Sequence, residues 1–134
     1  MTLSNAAWAA PGGAVDVTRG RVIIVDNDPE LLELVSTDLR LEGWDVLAAV
    51  RDGLEAISAC MKLLPDVLVV DYRMPLGLDG LQVISRVRLL LPSIRLILYT
   101  NYRLPGLADE ARQLGASYLV KGELATLRAR LAQA

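Results

Sequence analysis

Phenylalanine and histidine are both missing from the 134 residues, and cysteine occurs once, at Cys60. With no phenylalanine and aromatics at only 4%, the core of this 53% hydrophobic chain has to be aliphatic, built from Leu, Val, Ile and Ala. Such a core suits a layered α/β fold. A single cysteine excludes an intrachain disulfide and makes a reducing, cytoplasmic setting the simpler reading, with Cys60 a small buried hydrophobe. No stretch approaches the ~20 consecutive apolar residues of a membrane span. Residues 1 to 20 also lack a basic start and a sustained apolar run, and Pro11-Gly12-Gly13 interrupts them, so no signal peptide is read there. Nor does charge of one sign dominate: 14 basic and 16 acidic side chains leave a net charge of −2, which argues against nucleic-acid binding as the main task. A chain of this length forms one domain that buries roughly two-thirds of its unfolded surface, so size alone demands neither a disulfide nor a metal.

What is present is regular from Arg21 onward. Residues 1 to 20 read as a flexible leader, in which Trp8 is the one candidate anchor for a short helix, and residues 21 to 134 read as the domain. Val22 to Val25 is a short apolar run of the kind that forms a strand buried on both faces. Asp28 and Pro29 then supply an N-cap and a first helical residue, with Leu31, Leu32, Val35, Leu39 and Leu41 as the apolar stripe and Gly43 as the C-terminal cap. A second strand runs from Trp44 to Val50, and a second helix is lined by Leu54, Ile57, Cys60, Met61 and Leu64 until Pro65 stops it. Val67 to Val70 is the third strand, Leu81 to Leu91 the third helix, and Ile94 to Tyr99 the fourth strand. Pro105 is read as opening a short fourth helix, with Leu107, Ala108, Ala111 and Leu114 facing inward. Ser117 to Val120 is the fifth strand, and Leu124, Leu127, Arg128 and Leu131 mark a last helix. Five strands alternating with five helices predict a doubly wound parallel sheet joined by right-handed crossovers, with helices on both faces.

Four of the five strands end in a side chain able to do chemistry: Asp26, Asp71, Thr100 and Lys121. The second ends in Val50-Arg51. Each polar end has a plain explanation as a turn former, a cap or a solvated charge. In the strand order 2-1-3-4-5, however, the second strand lies at the edge and the four polar ends converge at the rim where doubly wound sheets bind ligands. Two carboxylates with neighbouring amide and carbonyl oxygens make a hard-cation site suited to Mg²⁺. A hydroxyl and an ammonium opposite them complete a phosphoryl-transfer pocket, with the central Asp71 as nucleophile.

The segments VIIVDNDP, LVVDYRMP, LYTN and SYLVKG, with this spacing from Asp26 to Lys121, closely resemble a receiver domain of the two-component response regulators. The resemblance covers Arg21 to Ala134 and implies the (βα)5 flavodoxin-like fold of that family. It also implies that Asp71 accepts a phosphoryl group from a histidine of a sensor kinase or histidine phosphotransfer protein. Having no histidine, this chain cannot be the donor. Asp26, Asp71 and the main-chain carbonyl of Arg73 would hold Mg²⁺, while Thr100 and Lys121 would contact the phosphoryl oxygens. Tyr118 stands at the place of the family's switch aromatic, coupled to Thr100. The face of the fourth helix, fifth strand and fifth helix would then bind a partner or a second copy.

The sequence departs from the family pattern at three places. Asn27 replaces one member of the usual acidic pair, so it is a weaker metal ligand. Gly122 follows Lys121 where many receivers have proline, which favours a trans bond. The stretch between Pro75 and Gly80 is one residue longer than is common. Arg73 and Tyr102, each two residues past a pocket residue, occupy positions that in the family influence phosphoryl loss. Two alternatives follow: a receiver that signals without phosphate because of Asn27, and an Asp71-nucleophile phosphatase. The second lacks an acid two residues on, where Arg73 stands. A dinucleotide-binding reading fails because Asp26-Asn27-Asp28-Pro29, not a glycine-rich turn, follows the first strand. The domain is therefore expected not to be an enzyme in its own right.

Overall fold

A computed structural model of the chain describes residues 19–75 and 77–133, and the leader reading for residues 1 to 20 lies almost wholly outside them. The elements are β1 (Gly20–Val25), α1 (Pro29–Leu41), β2 (Trp44–Val50), α2 (Gly53–Leu63), β3 (Val67–Val70), α3 (Gly80–Leu90), β4 (Arg95–Thr100), α4 (Leu107–Gln113), β5 (Ala116–Val120) and α5 (Leu124–Ala132). The strands form one parallel sheet in the order β2-β1-β3-β4-β5, as expected.

Because successive strand residues point to opposite faces, β-branched runs such as Val67 to Val70 feed two cores at once. Ile23, Val25, Leu68, Val70, Leu96 and Leu98 pack with the inner sides of α2, α3 and α4. Val22, Ile24, Val67, Val69, Ile97 and Tyr99 pack with α1 and α5. The β1–β2 register shifts between Val22 and Ile23, which skips Leu47 in the pairing. Among the described residues, no helix is long and apolar enough to cross a membrane.

Helix starts follow the local chemistry. The Asp28 carboxylate caps α1 by accepting from the Glu30 amide (3.0 Å), and Asp52 caps α2 from Glu55 (2.9 Å). Asp79 and Gln82 form a reciprocal capping box on α3, each side chain accepting from the other's amide at 2.9 Å. Gly43 ends α1 at φ 97°, in the left-handed region that glycine tolerates.

Three details of the sequence reading are corrected. Pro105 does not open α4; Gly106, at φ 82°, is the N-cap, and the helix starts at Leu107. Leu41, at 81% exposure, is off the inner stripe of α1. On α2 the expected stripe holds at Ile57 and Cys60 but fails at Leu54, Met61 and Leu64, which are exposed (60%, 45% and 55%), while Gly53 and Ala56 join Cys60 in facing the core.

Candidate functional site

Each of the four polar residues is held by continuation of the parallel ladder. The Asp26 amide donates to the Val50 carbonyl (3.1 Å), the Asp71 amide to the Val25 carbonyl (3.0 Å), and the Lys121 amide to the Thr100 carbonyl (3.0 Å). Side chains distant in sequence therefore leave the sheet at one rim. Lys121 Nζ donates to Asp26 Oδ2 at 2.6 Å and to Asp71 Oδ2 at 3.1 Å. The second oxygen of each carboxylate is also engaged: Asp26 Oδ1 accepts from the Asp28 amide (2.9 Å) and Asp71 Oδ1 from the Tyr72 amide (2.7 Å). Asp28 is thus an orienting and capping residue. Thr100 is fully buried, and its Oγ1 accepts from the Tyr102 amide at 3.2 Å.

Two buried carboxylates share one ammonium, so the cluster carries an unbalanced negative charge. Burial pushes the Asp26 carboxyl above its usual range, and the hydrogen bond from Lys121 only partly offsets this. Burial works against the Lys121 charge too, but the hydrogen bond to Asp26 and the charges of Asp71 and Asp26 outweigh it and hold the lysine above its ordinary value. Two carboxylates with neutral oxygens nearby are hard ligands, and their uncompensated charge suits a small divalent cation such as Mg²⁺. Among the described residues, no group of three or more acidic, cysteine or histidine side chains stands close enough to hold a metal. The donor set rests on Asp26 and Asp71 with neutral oxygens beside them. Asn27 is exposed, and among the described residues its backbone carbonyl alone is engaged, by Arg51 at 3.2 Å.

The sequence reading did not anticipate how much converges on Tyr102. Its ring lies 5.8 Å from that of Tyr72 and 4.7 Å beneath the Arg73 guanidinium carbon, a cation–π stack between the loops after β3 and β4. Its amide donates to Thr100, and its carbonyl accepts from the half-buried Tyr118 hydroxyl at 2.6 Å. Gly80 was also missed as a site residue. Its amide donates to the Tyr72 carbonyl (2.7 Å), and a Cβ there would meet the Asp71 carbonyl oxygen and come within 2.9 Å of the Tyr72 Cα. Beside Tyr118, a shallow depression of about 320 Å³ is lined by Arg103, Leu104, Gly106, Ala108, Asp109 and Val120. The Lys121–Gly122 bond is trans.

The same fold recurs in known proteins. The transcriptional regulatory protein LnrK of Bacillus subtilis is 35% identical over 105 residues, covering 75% of this chain and 46% of LnrK. The first curated relatives are all much longer, and the chain spans from 26% to 46% of their lengths. Among solved structures, the signal receiver domain of the putative response regulator NarL from Mycobacterium tuberculosis has a TM-score of 0.76 and 35% identity, covering 86% of this chain and 95% of that one. The response regulator protein TrrA from Thermotoga maritima, in complex with Mg²⁺-BeF, has a TM-score of 0.74 and 27% identity, covering 83% and 95%. The family model for the response regulator receiver domain matches residues 22–132, and with four strand-end residues gathered at one rim of a 2-1-3-4-5 sheet, this chain belongs to that family of two-component signalling domains.

Proposed function

We propose that this receiver is a phosphorylation-dependent binding module of a two-component or phosphorelay system. Asp71 accepts a phosphoryl group from a histidine of a sensor kinase or phosphotransfer protein: a carboxylate oxygen bonds to phosphorus as the P–N bond breaks, and the imidazole keeps the electron pair. The observation that carries this reading is the Lys121 ammonium lying 3.1 Å from Asp71 Oδ2 and 2.6 Å from Asp26 Oδ2. Asp26, Asp71 and the main-chain carbonyl of Arg73 would hold Mg²⁺, with Asn27 a weak fourth contributor. Bound there, Mg²⁺ would supply charge neutralisation for the phosphoryl oxygens.

The remaining steps belong to the chain itself. Lys121 has three N–H donors and turns from the carboxylates to a phosphoryl oxygen. Thr100 accepts from Tyr102 with its oxygen and keeps its hydroxyl proton for the phosphate. That new bond draws on the Thr100–Tyr102–Tyr118 connection, and the face of α4, β5 and α5 changes its affinity for a partner or a second copy. The domain is an acceptor and not a phosphatase: the residue two past Asp71 is Arg73, which stacks on Tyr102 and offers no acid for turnover. We place the module in the cytoplasm, with its kinase.

Incubation with Mg²⁺ and acetyl phosphate, followed by intact-mass measurement, tests this. A labile phosphoryl adduct absent from Asp71→Ala is expected. No adduct in the wild type, or one that survives in Asp71→Ala, removes the reading. Partner affinity or dimerisation equal in the phosphorylated and free forms would remove the switch alone.

A further inference from the structure

At the end of the sheet opposite Asp71, a recess of about 230 Å³ lies between α3, the start of β4 and β5, and the end of α5. Three arginines line it, Arg88, Arg95 and Arg130, and among the described residues no aspartate or glutamate does. All three are half-buried, and among the described residues none is paired with a carboxylate; the ion pairs there use Arg112, Lys121 and Arg128. Their partners are neutral instead. Arg88 donates to the carbonyls of Pro92 (2.7 Å), Ile94 (2.9 Å), Gly115 (3.1 Å) and Leu114 (3.2 Å). Arg95 donates to the carbonyls of Arg130 (2.9 Å) and Leu131 (3.1 Å), and Arg130 Nη1 to Gln133 Oε1 (3.0 Å).

A carbonyl satisfies an N–H without cancelling the charge behind it, so among the described residues three positive charges share this recess with no carboxylate paired to them. Arg88 is committed as a brace, since each of its nitrogens already donates. Among the described residues, Arg95 keeps Nε open and Arg130 keeps Nε and Nη2, with Ser117 on the same wall. A planar guanidinium with adjacent open donors matches two oxygens of a tetrahedral anion. We propose that this basal recess binds a small phosphate-type oxyanion, held by Arg95 and Arg130 with Arg88 behind them and the Ser117 hydroxyl alongside. The site is separate from the phosphoacceptor and requires neither Mg²⁺ nor Asp71.

The test is a titration of ¹⁵N-labelled protein with inorganic phosphate and diphosphate, free of Mg²⁺ and at ionic strength held constant with chloride. Saturable shifts of the Arg95, Ser117 and Arg130 amides are expected, stronger for diphosphate, with binding at least tenfold weaker in Arg130→Gln. Arg130→Lys, which keeps the charge but loses the planar fork, should fall between. A nucleoside diphosphate run in parallel separates the sources: tighter binding than diphosphate assigns a nucleotide, equal binding a bare ion. Chloride reproducing the shifts, Arg130→Gln titrating like the wild type, or shifts centred on Asp71 and Lys121 would overturn the proposal. Acetyl phosphate labelling of Arg130→Gln at Asp71 should proceed as in the wild type, which keeps this result independent of the phosphoacceptor reading.

Discussion

At the scale of single residues, the cluster of Asp26, Asp71 and Lys121 trades stability for chemistry. Burial raises the Asp26 carboxyl, so the folded protein holds that proton at pH values where the unfolded chain has lost it. The contribution is complete below about pH 4, the ordinary carboxylate range, and is lost as pH rises through the folded-state value. Asp26→Asn removes this burden, and thermal melts without Mg²⁺ should show a higher melting temperature than the wild type at pH 7, the gap closing toward pH 4. A lower melting temperature at pH 7 contradicts the charge account. Cys60 gives a second prediction. Burial pushes its thiol up to about 11 and leaves it fully enclosed. Alkylation at pH 8 should therefore track unfolding, with the native protein far slower than a denatured control. The four strand-end residues were legible in the sequence because a charge or hydroxyl at the end of a short apolar run stands out. The bridging position of Lys121 and the convergence on Tyr102 were not, since they depend on how separate loops meet.

At the scale of elements, α2 and α3 show where periodicity misleads. The inner face of α2 is built mainly from small residues, with Ile57 the one large side chain packed against the core, and the large Leu54, Met61 and Leu64 lie outside. A Cβ on Gly53 would lie 2.7 Å from Val83 Cγ2 and 3.0 Å from the Leu78 Cβ. The legible signal was the small series Gly53, Ala56, Ala59 and Cys60. Met61→Gln should therefore shift stability by no more than about 0.5 kcal/mol in urea titration, whereas Ala56→Leu should cost about 1–3 kcal/mol. The reverse order would put Met61 and not Ala56 on the inner face. The α3 start carries a related prediction. Gly80 abuts the Asp71 carbonyl, so Gly80→Ala has to move that loop, costing on the order of 1–3 kcal/mol. Acetyl phosphate labelling should fall in the folded fraction as well, because the displaced loop carries the acceptor.

At the scale of the whole molecule, alternation implied a parallel doubly wound sheet, and the order 2-1-3-4-5 is one of the common arrangements of that sheet, the one that puts the strand with no chemistry at its end on the edge. β2 proved to be that edge strand. Helix boundaries were less legible, as at α4, because a glycine in the left-handed region competed with a proline that could have begun the helix. The same contrast predicts the pattern of opening. β1, β3 and β4 are buried almost throughout, whereas α4 has seven residues and no side-chain cap. Native-state hydrogen exchange should release α4 amides first and the central strands last; early exchange in β3 would contradict this.

Tyr102 ties the loop after β4 to the loop after β3 through its ring, and to β5 through its carbonyl. With four tyrosines in the chain, a fluorine placed on each yields a spectrum sparse enough to assign by substitution. The nucleus on this ring, shaded by a guanidinium, would register departure of Arg73 as its own resonance, so the fraction of molecules in each state could be read as a ratio of two peaks.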